Sequence, residues 1–523
     1  MRIWVTGIGI VSPLAVGAAP TMERLLAGER GIAPLTLFEL NGAQGAIAAA
    51  VTDLRIGDIA PSGAAPEWSR TAAMAFLAAR EAMLEAGVDA RRVPMDLAVG
   101  GTTAGMFETE DVLPRLQDTS LAPPSLLLSR PLSSTADVVH RQLGPFRRVR
   151  SVCSACSSGA NAIVLGTAWI RSGRSECVLV GGADGLCRLT YAGFSALSAL
   201  DPKPCRPFDR TRAGLNLGEG AAFLILESDV HARARGAHPI AELRGWSIGA
   251  ESHHITNPEA EGRTAARVMR NAIACAGIAP SDVAYVNAHG TGTPLNDAME
   301  TRALNACFGD HLPDVLVSSS KGQIGHTLGA AGAIEAAITA LAVARDVIPP
   351  TRGLSIPDPE CALSHVTEAT RRHVNAAVSN SFGFGGTDSA LVFAKPDVFG
   401  DLPGRASDRK VVVTGVGAVG PLGITDAGTS AKYLEPSSTD QRAPLDPLKH
   451  LDAARASAGS CSAARRDRGR RMSSRCKAGS PCRCGSAHRG DPWFRVRQRR
   501  RIDCVHEACA RKGNSLCEST RVS

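Results

Sequence analysis

The sequence predicts an α/β layered fold. Two observations carry that prediction. Short apolar runs recur through residues 1–395, the first of them ending in glycine, and segments of helical composition fall between them. Strands alternating with helices bury both kinds of element as stacked layers. Ile3–Val5 and Leu97–Val99 read as the first two strands. Residues 69–86 (SRTAAMAFLAAREAMLEA) read as a helix, with Gly87 as its stop. A second helix is expected near 157–171, then a buried strand at Cys177–Val180 followed by GGAD. Ala222–Leu226, Val283–Val286, Val315–Ser318 and Ala376–Ser379 continue the strand series, with helices near 263–276 and 328–345.

Composition narrows the class. The chain has 523 residues, of which 44% are hydrophobic and only 4% aromatic, with 53 glycines. A large core built from small side chains is expected. No uninterrupted apolar run of about 18 residues is evident, so no membrane helix is expected. Glycines break the apolar start MRIWVTGIGIVSPL, which reads as strand and turn rather than a leader peptide. Eight of the 15 cysteines are scattered through residues 1–400 and seven crowd into 461–517. The first eight sit mostly in apolar contexts, where cysteine packs as a small hydrophobe. A reducing, cytoplasmic location fits that pattern better than a disulfide framework.

The charge is unevenly placed. Residues 424–523 hold 21 Lys and Arg against 10 Asp and Glu, a net +11, which leaves −3 for residues 1–423 out of the chain's +8. Residues 396–409 read as a linker rich in Pro, Gly and Asp. Residues 410–423 (KVVVTGVGAVGPLG) then repeat the opening of the chain: Thr414-Gly415 matches Thr6-Gly7 and Pro421-Leu422 matches Pro13-Leu14. A second copy of the domain therefore begins and stops. From 424 the chain is Arg-, Ser- and Cys-rich without periodicity, the pattern of a disordered or out-of-frame tail. A nucleic-acid arm would want interleaved aromatics, and Cys482-x-Cys484 lacks the second spaced pair of a zinc module.

Four segments carry chemistry. In VCSACSSGANAI (152–163), Cys156 falls at the start of a helical run, where unpaired N–H groups favour a thiolate. A lone cysteine is more often a packed core residue, and that reading is kept for Cys153. In NAHGTGTPLNDAME (287–300), His289 lies just past a strand end, with Thr291 and Thr293 as hydrogen-bond donors. In SSSKGQIGHTLGAAGAIE (318–335), Lys321 and His326 precede an Ala/Gly-rich helix. A neutral imidazole there can stabilise an oxyanion. In NSFGFGGTD (380–388), Phe382 and Phe384 alternate with glycines in a mobile, apolar loop.

Together and in this order the segments resemble the elongating β-ketoacyl-acyl carrier protein synthases, condensing enzymes of the thiolase fold. The resemblance runs from VTGIGIVSPL to SALVF and includes RPFDRTRAGLNLGEGAAFLILE (206–227). It implies two similar βαβαβαββ halves in a five-layer αβαβα sandwich. The first half is expected at 1–245 with the nucleophile and the second at 246–395 with both histidines. It also implies decarboxylative condensation of an acyl group on Cys156 with a malonyl group on acyl carrier protein. His289 and His326 match the pair that supports decarboxylation, Lys321 the structural lysine, and Glu300 its carboxylate partner. Phe384 matches the gate, its N–H and that of Cys156 the oxyanion hole. Thr291 and Thr293 match groups contacting the pantetheine arm, and Phe382 is expected among the substrate-binding residues. No metal or organic cofactor is implied, because phosphopantetheine arrives on the carrier. The family is usually homodimeric, and some members pair with a chain-length factor.

Departures are mild. Ser154 replaces a frequent Thr, Asn296 a common Gly and Asp388 a frequent Asn. GGTTAGMFETE (100–110) is similar to polyketide or aryl-polyene synthases rather than fatty acid enzymes. A thiolase would carry a second, late Cys, and chain-initiating synthases an Asn where His326 stands. A non-catalytic chain-length subunit would lack Cys156.

Overall fold

The computed structural model describes residues 1–40, 45–52, 54–60, 68–112 and 129–402, together with the backbone of 418–420 and 423–425. The chain divides into units at Met1–Ser407 and Asp408–Ser523. In the first, β1 (Ile3–Val11) leads to α1 (Arg70–Ala86), β2 (Asp96–Gly100), α2 (Ser133–Leu143), β3 (Val149–Val152), α3 (Ser158–Arg171), β4 (Cys177–Asp184) and β5 (Gly220–Ser228). Then come β6 (Ala241–Ala250), α4 (Arg263–Ala276), β7 (Val283–Asn287), α5 (Pro294–Phe308), β8 (Leu316–Ser318), α6 (Ala331–Arg345), β9 (Ala376–Gly383) and β10 (Thr387–Ala394).

The strand order exposes an internal duplication. One half-sheet runs β1-β5-β4-β2-β3, the other β6-β10-β9-β7-β8. Each half therefore orders its own strands first, fifth, fourth, second, third. The half-sheets are not separate: β1 and β6 pair antiparallel through Trp4–Glu242 and Val5–Ala241, making one continuous sheet. A short strand at Ser364–His365 extends the far edge beside β8. The halves meet in the turn before β6, so the boundary expected at 245/246 falls inside a continuous strand.

Five layers follow. Helices α1 and α2 cover the outer face of the first half-sheet, and α4 and α5 that of the second. Helices α3 and α6 lie back to back between them. Small residues make that contact possible. A side chain at Gly159 would come within 2.8 Å of the Ala333 backbone, and one at Gly332 within 2.9 Å of the Ala160 backbone. The expectation about apolar length needs correcting. Residues Leu328–Arg345 are long and apolar enough to cross a membrane, but the segment is 89% buried as the central helix of the core.

Local signals behaved as chain chemistry requires. Ser69 caps α1 by accepting from the Ala72 N–H, and Gly87 closes it at φ 65°. In the second unit, Ala418–Gly420 pairs antiparallel with Gly423–Thr425. The remainder of the repeated opening (410–417, 421–422), the end of the linker from 403, and the tail from 426 lie outside the described residues.

Candidate active site

The chain enters α3 through a tight turn. Ala155 sits at φ 52°, in the left-handed region, and lifts Cys156 over the first turn of the helix. A local network fixes the turn: the Ser158 hydroxyl accepts from Ser154 N–H at 2.9 Å, and Asn161 Nδ2 donates to Ser154 Oγ at 2.7 Å. Cys153 is exposed beside the end of β3, not packed as expected, because the strand stops at Val152 and the sheet ends there.

Burial reverses the expectation for Cys156. The helix start does not yield a ready thiolate. Desolvation dominates and pushes the thiol up to about 11, against Lys321 and a hydrogen bond from the Phe384 N–H, which pull it down. The Phe384 N–H of the second half therefore reaches the thiol of the first.

His289 follows β7 and His326 precedes α6, so both come from the second half. Their rings meet edge to face, 5.3 Å between centroids at 85°. Both are buried, and desolvation together with Lys321 holds both well below the ordinary imidazole range. They are neutral near pH 7. Lys321 Nζ donates to the His289 carbonyl at 2.5 Å and faces its Nδ1 at 3.4 Å. An ammonium beside Nδ1 makes that nitrogen the acceptor and leaves the ring proton on Nε2. His326 is set by its backbone, which donates to the Asn216 carbonyl at 2.7 Å and accepts from Gly218 N–H at 2.9 Å.

The lysine's partner differs from expectation. Lys321 is buried against Glu335, not Glu300. Glu335 lies on α6 in an otherwise apolar run, pushed up to about 7 by burial, and only its pull on Lys321 accounts for a carboxyl there. Glu300, on α5, instead accepts from the backbone N–H groups of His289 (2.9 Å) and Gly290 (2.8 Å) and from Asn380 Nδ2 (3.1 Å). It holds the loop that carries His289. A lone acid inside GAAGAIE was the available signal for Glu335. Asp184, which ends β4, was likewise overlooked: it accepts from Thr102, Thr103 and the Gly329 N–H and so ties the start of α6 to the first half.

A cavity of about 250 Å³ joins these parts. Cys156, His289, His326, Thr291, Thr293, Phe382 and Phe384 all border it, whereas Lys321 and Glu300 lie behind His289. Phe382 meets the His289 ring edge to face at 5.6 Å, and Phe384 stacks on Phe194 at 5.5 Å. Thr293 caps α5, and its hydroxyl is 2.9 Å from that of Thr291.

Comparison with known proteins fixes the family. Residues 1–232 match the beta-ketoacyl synthase N-terminal domain and 240–355 its C-terminal domain. The 3-oxoacyl-[acyl-carrier-protein] synthase 2 of Synechocystis is 34% identical over 407 residues, covering 75% of this chain and 98% of that one. This chain belongs to the β-ketoacyl synthase family. The ketoacyl synthase alpha subunit of the tetracenomycin polyketide synthase of Streptomyces glaucescens is 36% identical over 414 residues, 76% of this chain and 97% of that one. Among solved structures, the ishigamide ketosynthase/chain length factor matches with TM-score 0.71 and 32% identity, covering 75% of this chain and 99% of that one. This β-ketoacyl synthase therefore has the thiolase-type sandwich and is an acyltransferase of the condensing kind.

Proposed function

We propose that Cys156 takes an acyl group from carrier-bound phosphopantetheine, releasing the carrier thiol with the cysteine's proton. Malonyl-acyl carrier protein then binds, and loss of carbon dioxide from it generates an enolate. Donors from neutral His289 and His326 stabilise the enolate oxygen. The enolate carbon attacks the acyl-Cys156 carbonyl, and the N–H groups of Cys156 and Phe384 stabilise the tetrahedral oxyanion. Collapse expels the Cys156 sulfur, which takes a proton, and leaves 3-oxoacyl-acyl carrier protein. The single observation behind this reading is the cavity, where one thiol from the first half faces two neutral imidazoles from the second.

In this reading Lys321 positions His289 and holds its tautomer. Thr291 and Thr293 contact the pantetheine arm, and Phe384 gates the cavity. The carrier brings the only prosthetic arm the steps require. The absence of disulfides among the eight described cysteines supports a cytoplasmic setting. Strand β3 ends the sheet with half its residues exposed, which supports a subunit partner at that edge. A second copy is the simpler partner. A chain-length factor is the alternative, and the repeated opening at 410–423 favours it.

The test is intact-mass measurement of wild type and Cys156→Ala after incubation with acyl-carrier proteins of several lengths, followed by malonyl-carrier protein. An adduct on wild type alone, discharged to a 3-oxoacyl product, is expected. Absence of any adduct at every length would sink the catalytic reading and leave an inactive scaffold or one that requires its partner.

A further inference from the structure

Asp388 stands in the wall of the cavity, directly below the Phe384 turn. It pairs across the β9–β10 hairpin with Phe382, and on its other side with Gly249 of β6. Its side chain is 1% exposed, and Oδ2 has no hydrogen-bond partner. A buried carboxyl left like this is costly unless something neutralises it. The charged groups around it come from three directions. Glu251 and Glu259 lie on the loop after β6, Arg267 on α4, and Glu300 on α5; three of the four are acids. Arg267 is on the exposed face of its helix.

The loop after β6 also clamps the gate. Glu251 N–H donates to the Gly386 carbonyl at 2.9 Å, and Gly385 N–H donates to the Ile255 carbonyl at 2.8 Å. A side chain at Gly386 would touch the Glu251 Cβ at 2.8 Å. Glu251 and Asp388 therefore bracket one turn, and both border the cavity.

We propose that Asp388 is a positioning residue for the gate: carrying its proton it lets the Glu251 loop clamp Gly385 and Gly386, and losing that proton to water sets two carboxylates against each other and frees Phe384. This rests on the reading of Phe384 as a gate. Burial among acids pushes Asp388 up to about 8, which puts the change within an accessible range. An asparagine there would be neutral at every pH, so Asp388→Asn should remove the response to pH.

The test uses alkylation of Cys156 in the full chain, which needs neither carrier protein nor condensation. Labelling rates with iodoacetamide are compared for wild type, Asp388→Asn and Glu251→Gln between about pH 6 and about pH 9. An ionised Asp388 disfavours the neighbouring thiolate, so any change in thiol ionisation lowers the wild-type rate and cannot mimic the expected rise. The expected wild-type to Asp388→Asn ratio is near one at the acid end and rises roughly five- to ten-fold at the alkaline end. Glu251→Gln should flatten the same rise while keeping Asp388. A ratio constant with pH, with both variants folded by circular dichroism, would overturn the proposal, as would a full wild-type rise in Glu251→Gln. If Cys156 alkylates with the predicted ratio but forms no acyl adduct, the gate survives and the condensing reading fails.

Discussion

The two halves of this β-ketoacyl synthase share one topology and hold different chemistry. In the first half, the third strand (β3) leads into the central helix α3 through Cys156. In the second, the third strand (β8) leads into the central helix α6 through Lys321 and His326. The same place in the duplicated unit thus presents a thiol on one side and an imidazole on the other. The helices can bring them together because Gly159 and Gly332 remove the side chains that would hold α3 and α6 apart. The halves treat ionisation in the same way. Burial keeps the thiol protonated and the imidazoles neutral, so all three start uncharged. The lesson is that the scaffold supplies position twice, and in the proposed mechanism the residues placed there divide acyl transfer from decarboxylation.

That division can be broken one half at a time. Cys156→Ala should lower acyl-adduct formation by about 10³-fold or more, since no other group replaces the nucleophile. Malonyl binding should survive, as read by carrier-protein titration. His289→Ala or His326→Ala should slow malonyl decarboxylation by roughly 10²–10³-fold while leaving the Cys156 adduct detectable. Equal loss of both steps would mean the halves do not divide the work. Because both imidazoles ionise well below the ordinary range, decarboxylation should stay flat as pH falls from about 7.5 to about 6, where a free histidine would already be charging.

The buried pair behind His289 comes next in size. Glu335→Ala leaves the Lys321 ammonium buried without its counter-charge, and stability should fall by about 3–5 kcal/mol in denaturant titration. Glu300→Gln should cost less, on the order of 1–2 kcal/mol, because the amide oxygen still accepts one backbone N–H of the His289 loop. If the two costs came out reversed, the pairing of Lys321 with Glu335 would not be the dominant support.

The last effect concerns Asp388 and is read as a trend with pH rather than as a single loss. An unfolded aspartate ionises near about pH 4, whereas the folded chain holds this proton up to about 8. Between those values the folded state binds more protons. Its contribution to stability is full below about pH 4 and is lost as pH rises toward about 8. Asp388→Asn should lack that decline, so its melting temperature should draw ahead of wild type across this window. Parallel curves would show that Asp388 finds a partner in solution.

Much of this was legible in the residues. The helix Arg70–Ala86, with Ser69 before it and Gly87 after it, is encoded by its own caps. The turn at Cys156 and the strand-end position of His289 likewise follow from local chemistry, and the order of the four segments specified the family. Local signals could not choose between Glu300 and Glu335 as the partner of Lys321, because α5 and α6 approach that lysine from different layers. They also misjudged the cysteines. Cys153 looked packed and is exposed because β3 is an edge strand, and Cys156 looked acidic because a helix start is visible in sequence and desolvation is not.

The sequence by itself determined which elements form and which side chains could do chemistry, since caps, glycines and apolar runs act over a few residues. The tertiary structure alone decided which acid meets which base and how each group ionises. Those properties depend on layers brought together from distant parts of the chain and on the water that their packing excludes.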